Sequence, residues 1–152
     1  MKTSIITGAL VALLTGLAIG TQATISSRVG SIIGELRTSL LSNFLGGVVA
    51  GLFILAVLLR EDAQTWKVPG AIIGILALSG TLGIMIITGI SFSLQRAGIA
   101  AGLATIILGQ LALSFLIDSL GIGGVDPIPV SMQRFSGIIV TAIGVYLLLP
   151  KE

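Results

Sequence analysis

Gln110, Asn43 and Gln22 interrupt long apolar stretches, where an amide is costly in hydrocarbon unless it meets a partner or lines a wet cavity. A carboxamide carries donors and an acceptor, so each position suits hydrogen bonding to a solute and equally to a neighbouring helix. Gln110 is the deepest, close to the middle of the fourth stretch and one position from a stripe of small residues. Asn43 lies on a small stripe of the second stretch, and Gln22 stands six residues before Arg28, where it could guard an entrance. Two carboxylates complete the set. Asp118 closes the fourth stretch and Glu35 lies in the first loop between Arg28 and Arg37; each suits proton exchange, pairing with an arginine, or solvation at an interface. No Asp or Glu falls in the middle of a stretch, where proton-coupled export of cations usually wants one.

Catalysis has no comparable set of residues. Cysteine and histidine are both absent, which removes disulfides, Cys/His metal sites, thiol nucleophiles and a Ser-His-Asp triad. We expect no enzyme activity, no metal and no cofactor. A sequence pI near 9.5 rests on a net charge of +2 without a basic run, so it points to no nucleic-acid partner.

The elements that must hold these side chains are membrane spans. A chain of 152 residues with 55% hydrophobic residues, 9% charged residues and a mean hydropathy of +1.16 cannot clothe a water-soluble globule. Five spans are expected, at about 3–27, 39–59, 68–90, 97–117 and 132–149, in a single membrane domain with no linker. The first also imitates a signal peptide, with Lys2 as its positive start and Thr21-Gln22-Ala23 as a cleavage site, but its apolar stretch is too long and four more spans follow. Trp66 fits an interfacial anchor and Pro69 a helix's first turn, ahead of the third span. Gly121 to Pro129 is too rich in Gly and Pro to continue a helix, and reads as the longest loop.

An odd number of spans sets the termini on opposite sides. Lys2, Arg60, Lys67 and Arg134 then share one face, and Arg28, Arg37, Arg96 and Lys151 the other. Orientation follows the Lys and Arg count near span ends, and this tie gives no preference. Insertion in both orientations is expected, and with it an antiparallel homodimer of ten helices, whose two chains form the inverted repeat that many transporters carry in one. A related, oppositely oriented chain is the rival partner.

Helix packing in lipid relies on small residues that let backbones approach. Ala9, Ala12, Gly16, Gly20, Ala23 and Ser27 make one small face of the first span. Ser39, Asn43, Gly47 and Gly51 do so in the second, Gly70, Gly74 and Ala77 in the third, and Gly98, Gly102, Thr105, Gly109 and Ala112 in the fourth. Thr81 and Thr88 can satisfy their hydroxyls on a preceding carbonyl. Arg28, Arg37, Arg96 and Arg134 can all reach headgroups.

Gln22 to Gly30, Ser42-Asn43-Phe44-Leu45-Gly46, Gly109-Gln110 with Asp118-Ser119-Leu120-Gly121, and Arg134-Phe135-Ser136-Gly137 resemble, in order along nearly the full chain, the YdcZ-type family. These are small five-helix bacterial proteins grouped with the drug/metabolite transporter superfamily. The resemblance implies an all-α half-unit in the inner membrane that pairs antiparallel. It favours Gln22, Asn43, Gln110 and Asp118 as polar positions and departs at Ser26, where the first-helix motif carries an asparagine. The function expected is a secondary transporter or facilitator for a small metabolite, working by alternating access in a dual-topology homodimer. A structural or lipid-moving membrane protein, or one subunit of a heterodimeric transporter, is the alternative.

Overall fold

The computed structural model describes residues 2–60, 68–122 and 126–150, with side chains from Ile5 onward. Trp66, Lys67, Lys151 and the loop residues Gly123 to Val125 lie outside the described residues, so the interfacial anchor and part of the charge tie do too. Among the described residues five helices follow one another: α1 (Lys2–Ile33), α2 (Glu35–Leu58), α3 (Gly70–Ala97), α4 (Ile99–Leu120) and α5 (Met132–Leu148). The first four are long and apolar enough to cross a membrane. α5 is apolar but has 17 residues, about 25 Å at 1.5 Å per residue, the short end of what spans hydrocarbon.

The helices run past the apolar stretches that announced them. The segment 28–38, expected to hold the first loop, is helical apart from Gly34, and α3 continues through Gln95 and Arg96 to Ala97. Glu35 is therefore the first residue of α2 and not a loop residue, where its charge favours the positive end of the helix dipole. The physical reason is simple. A hydropathy drop marks where hydrocarbon ends, whereas a backbone with no proline keeps its hydrogen bonds into the headgroup layer. Pro69 also sits outside its helix, with its carbonyl accepting from Ile72 N at 2.9 Å and Ile73 N at 3.3 Å.

Single glycines make two of the corners. Gly34 has φ 92° and ψ 147°, and Gly98 has φ 81° and ψ 163°, a region of backbone space open essentially to glycine alone. Gly98 was expected on the small face of the fourth span; it stands instead at the corner before α4, and that backbone explains why it is a glycine. The turn after α4 is built from other parts. Gly121 donates to Ile117 O, Ile128 N donates to Asp118 O at 2.9 Å, and Ser131 caps α5 by accepting from Arg134 N at 3.2 Å.

The chain divides into two compact units, Met1–Phe92 and Ser93–Glu152. In the first, α1 packs along α2, and the buried positions are mostly small or hydroxylic: Ala23, Ser26, Ser27, Gly30, Thr38, Ser39 and Ser91. In the second, α4 packs along α5, with Leu94, Ala101, Gly102 and Val145 buried. Leucine, isoleucine and phenylalanine side chains are exposed along every helix, the reverse of a water-soluble core and the arrangement that hydrocarbon solvates.

Candidate functional site

The polar residues singled out in the sequence fall into three separate settings. Asn43 belongs to the first. Its Nδ2 donates to Ser39 O at 2.9 Å, one turn back on α2, and the fully buried Ser39 donates through Oγ to Ile84 O on α3 at 2.7 Å. Ile84 O also accepts from Thr88 Oγ1 at 2.8 Å. Gly83 leaves the room that this crossing needs, since a Cβ there would lie 3.1 Å from Asn43 Oδ1. The arrangement is a neutral hydrogen-bonded crossing of two helices, the ordinary way for polar side chains to join helices in lipid.

Asp118 belongs to the second setting. Its carboxylate is paired with the Arg134 guanidinium, joining the last turn of α4 to the first turn of α5. Arg134 also donates through NH1 to Ile128 O at 3.4 Å, and its guanidinium carbon lies 5.4 Å from the centroid of the Phe115 ring. The pair is about one-third exposed on each side, 31% for Arg134 and 35% for Asp118. It stands at one end of an open groove of about 390 Å³ between α4 and α5. Leu111, Ser114 and Phe115 line it from α4, and Gly137, Ile138 and Thr141 from α5.

Gln22 on α1 and Gln110 on α4 form the third setting. Both are exposed on their helices, and neither side chain has a hydrogen bond among the described residues. Gln110 precedes Ser114 by one turn and Asp118 by two, so the three share one side of α4. Of the glycines expected at helix contacts, Gly102 is in close contact within the chain: a Cβ there would lie 2.8 Å from Leu94 Cδ1 and 3.3 Å from Leu94 Cα. At Gly16, Gly47, Gly51 and Gly109 a Cβ would meet nothing within 4 Å.

Sequence reasoning did not foresee the Ser39 bond to Ile84 O or the clearance at Gly83, which depend on where α3 crosses α2. It also passed over the groove. Leu111, Phe115 and Asp118 follow helical spacing on α4, as Arg134, Ile138 and Thr141 do on α5, a signal that was available. Thr81 and Thr88 donate to Ala77 O and Ile84 O at 2.9 and 2.8 Å, as their type suggests.

The family described as "Putative inner membrane exporter, YdcZ" matches residues 7–147, from the start of α1 to the end of α5. The chain belongs to this family. No curated protein and no solved structure matches it. As a member of the YdcZ family with four helices of spanning length, it is a multi-pass protein of the inner membrane. Membrane export is not an enzyme class. The YdcZ match takes in α5 together with the four longer helices.

Proposed function

We propose that the chain is one half of a small-metabolite exporter that works by alternating access in an antiparallel homodimer. The observation that carries the dimer is the set of open glycines. Gly16, Gly47 and Gly51 in the first unit and Gly109 in the second have no neighbour within 4 Å for a Cβ among the described residues of their own unit, and glycine inside a helix costs about 1 kcal/mol relative to alanine, which a close helix contact offsets. A second copy supplies that contact. The even division of Lys and Arg between the two faces of a five-span chain supports the antiparallel sense, provided that α5 crosses.

In such a dimer the inward-open and outward-open states are the same structure turned over, and exchange needs only a swap of roles between the two copies. Gln110, exposed in the middle of α4 with its amide free of hydrogen bonds among the described residues, hydrogen-bonds the metabolite near the midplane. Gln22 lines the approach. Asn43 lines it through the part of its amide that Ser39 does not occupy.

Two experiments test this reading. The chain has no native cysteine, so Gln64→Cys and Asp126→Cys can be labelled from each side of the membrane. Each should react from both sides in intact cells, and labelling from one side alone at both positions removes the homodimer in favour of a uniformly oriented or heteromeric assembly. For the solute path, proteoliposomes loaded with a defined mixture of small metabolites should release at least one in a saturable way. Gln110→Ala should lower that flux about tenfold, the loss expected when one or two hydrogen bonds to a bound solute disappear. Unchanged flux at normal protein yield removes Gln110 from the path.

A further inference from the structure

The groove between α4 and α5 has an order from one end to the other. At one end, at the ends of both helices, stand Arg134 and Asp118, each about one-third exposed. One turn in along α4 is Ser114, exposed and without a hydrogen bond among the described residues, beside Phe115. Deeper still the walls are Leu111, Ile138 and Thr141, and Thr141 spends its hydroxyl hydrogen on Gly137 O at 2.9 Å. The wall at Gly137 is open, with nothing among the described residues within 4 Å of where a Cβ would stand. Opposite charges, then a free hydroxyl, then apolar walls make up the sequence a phospholipid presents from headgroup through ester to chain.

Charge complementarity narrows the headgroup. A guanidinium has five N–H donors, of which Asp118 and Ile128 O each engage one. The donors that remain suit a phosphate. The second oxygen of Asp118, Oδ1, has no partner among the described residues, and it suits an ammonium with N–H to give. A site of both signs fits a zwitterion whose cation can donate hydrogen bonds.

We propose that this groove is a binding site for a phosphoethanolamine phospholipid, with its phosphate on Arg134, its ammonium on Asp118, an ester carbonyl on Ser114 and an acyl chain lying over Gly137. Phosphocholine lipid has the same charges but a quaternary nitrogen with no N–H, and phosphoglycerol lipid has no cation at all. The bound lipid joins the ends of α4 and α5 and fixes the short α5 at its side of the bilayer. The site needs only the membrane placement of α4 and α5, so it stands apart from the alternating-access reading.

The test is competition in nanodiscs made from equal parts of phosphatidylethanolamine, phosphatidylcholine and phosphatidylglycerol, followed by native mass spectrometry of the released protein. One phosphatidylethanolamine per chain should be retained, preferred over phosphatidylcholine by about tenfold, as a hydrogen bond between charged groups implies. Asp118→Asn should erase that preference. Gly137→Leu, which fills the groove without replacing either member of the ion pair, should reduce retention of all three lipids, and it carries the test alone if Asp118→Asn fails to fold. Equal retention of ethanolamine and choline lipids by the unaltered chain overturns the proposal. So does a preference for phosphatidylglycerol, unaltered retention by Gly137→Leu, or cross-linking of two chains through Gly137→Cys, which would show a second copy lying in the groove.

Discussion

The corners at Gly34 and Gly98 use one backbone device and fill the space around it in opposite ways. Both glycines have positive φ with ψ near 150–160°. Buried positions recur at matching offsets: Ser27 and Ser91 seven residues before the glycine, Gly30 and Leu94 four before, Thr38 and Gly102 four after. At the first corner the position four after is a threonine, 2% exposed, whose Oγ1 donates to Gly34 O at 2.9 Å. At the second it is a glycine lying under Leu94. The backbone bond from that position to the corner carbonyl is the same in both, 3.1 Å for Thr38 and 2.9 Å for Gly102. Conformation thus specifies the corner glycine, while what packs beside it is free to be a satisfied hydroxyl or an apolar knob over a hole.

The largest effect should come from filling that hole. Gly102→Leu puts a Cβ 2.8 Å from Leu94 Cδ1 and 3.3 Å from Leu94 Cα; the side-chain tip can swing away but the Cα cannot. Overpacking of this kind costs about 1–3 kcal/mol. Thermal unfolding in detergent should show a clear drop in midpoint, and adding Leu94→Ala to Gly102→Leu should recover part of it, since the two sites share one space. A double variant no more stable than Gly102→Leu alone would mean that the second corner is not held by this knob and hole.

Next in size are the corner glycines themselves. Gly34→Ala and Gly98→Ala should each cost about 1–3 kcal/mol from backbone strain, and the two losses should be alike, because a Cβ at either position has nothing within 4 Å among the described residues and the dihedral angles decide the cost. A loss at one corner several times that at the other would break the claim of a shared device.

The number of helices and their order along the chain were legible in the sequence, because hydropathy is set by residue type alone and a bilayer demands long apolar runs. The corners were not. Arg28, Glu35 and Arg37 lower the hydropathy around Gly34 without ending a helix, so charge was mistaken for a loop, and nothing in composition separates Gly34 or Gly98 from a glycine on a packing face. The site was legible in its parts. Asp118 stood out by position and Arg134 by charge, yet their pairing depends on a loop that brings Ile128 N back to Asp118 O. Asn43 drew notice as a deep amide; its attachment to Ser39, and through Ser39 to Ile84 on α3, required knowing where two helices cross.

The smallest expected effect tests the polar filling of the first corner. Thr38→Val keeps the branched shape and removes the hydroxyl that donates to Gly34 O, while that carbonyl still accepts from Thr38 N at 3.1 Å. No buried group is then left without a partner, so the change should cost less than about 1 kcal/mol, a shift in unfolding midpoint well below that of Gly102→Leu. Its counterpart, Gly102→Thr, introduces the first corner's residue under Leu94 and should behave like Gly102→Leu, since the added Cβ meets the same Leu94 Cα. If Thr38→Val proves as damaging as Gly102→Leu, the hydroxyl holds the first corner as firmly as the leucine holds the second, and the two fillings are equivalent in strength as well as in place.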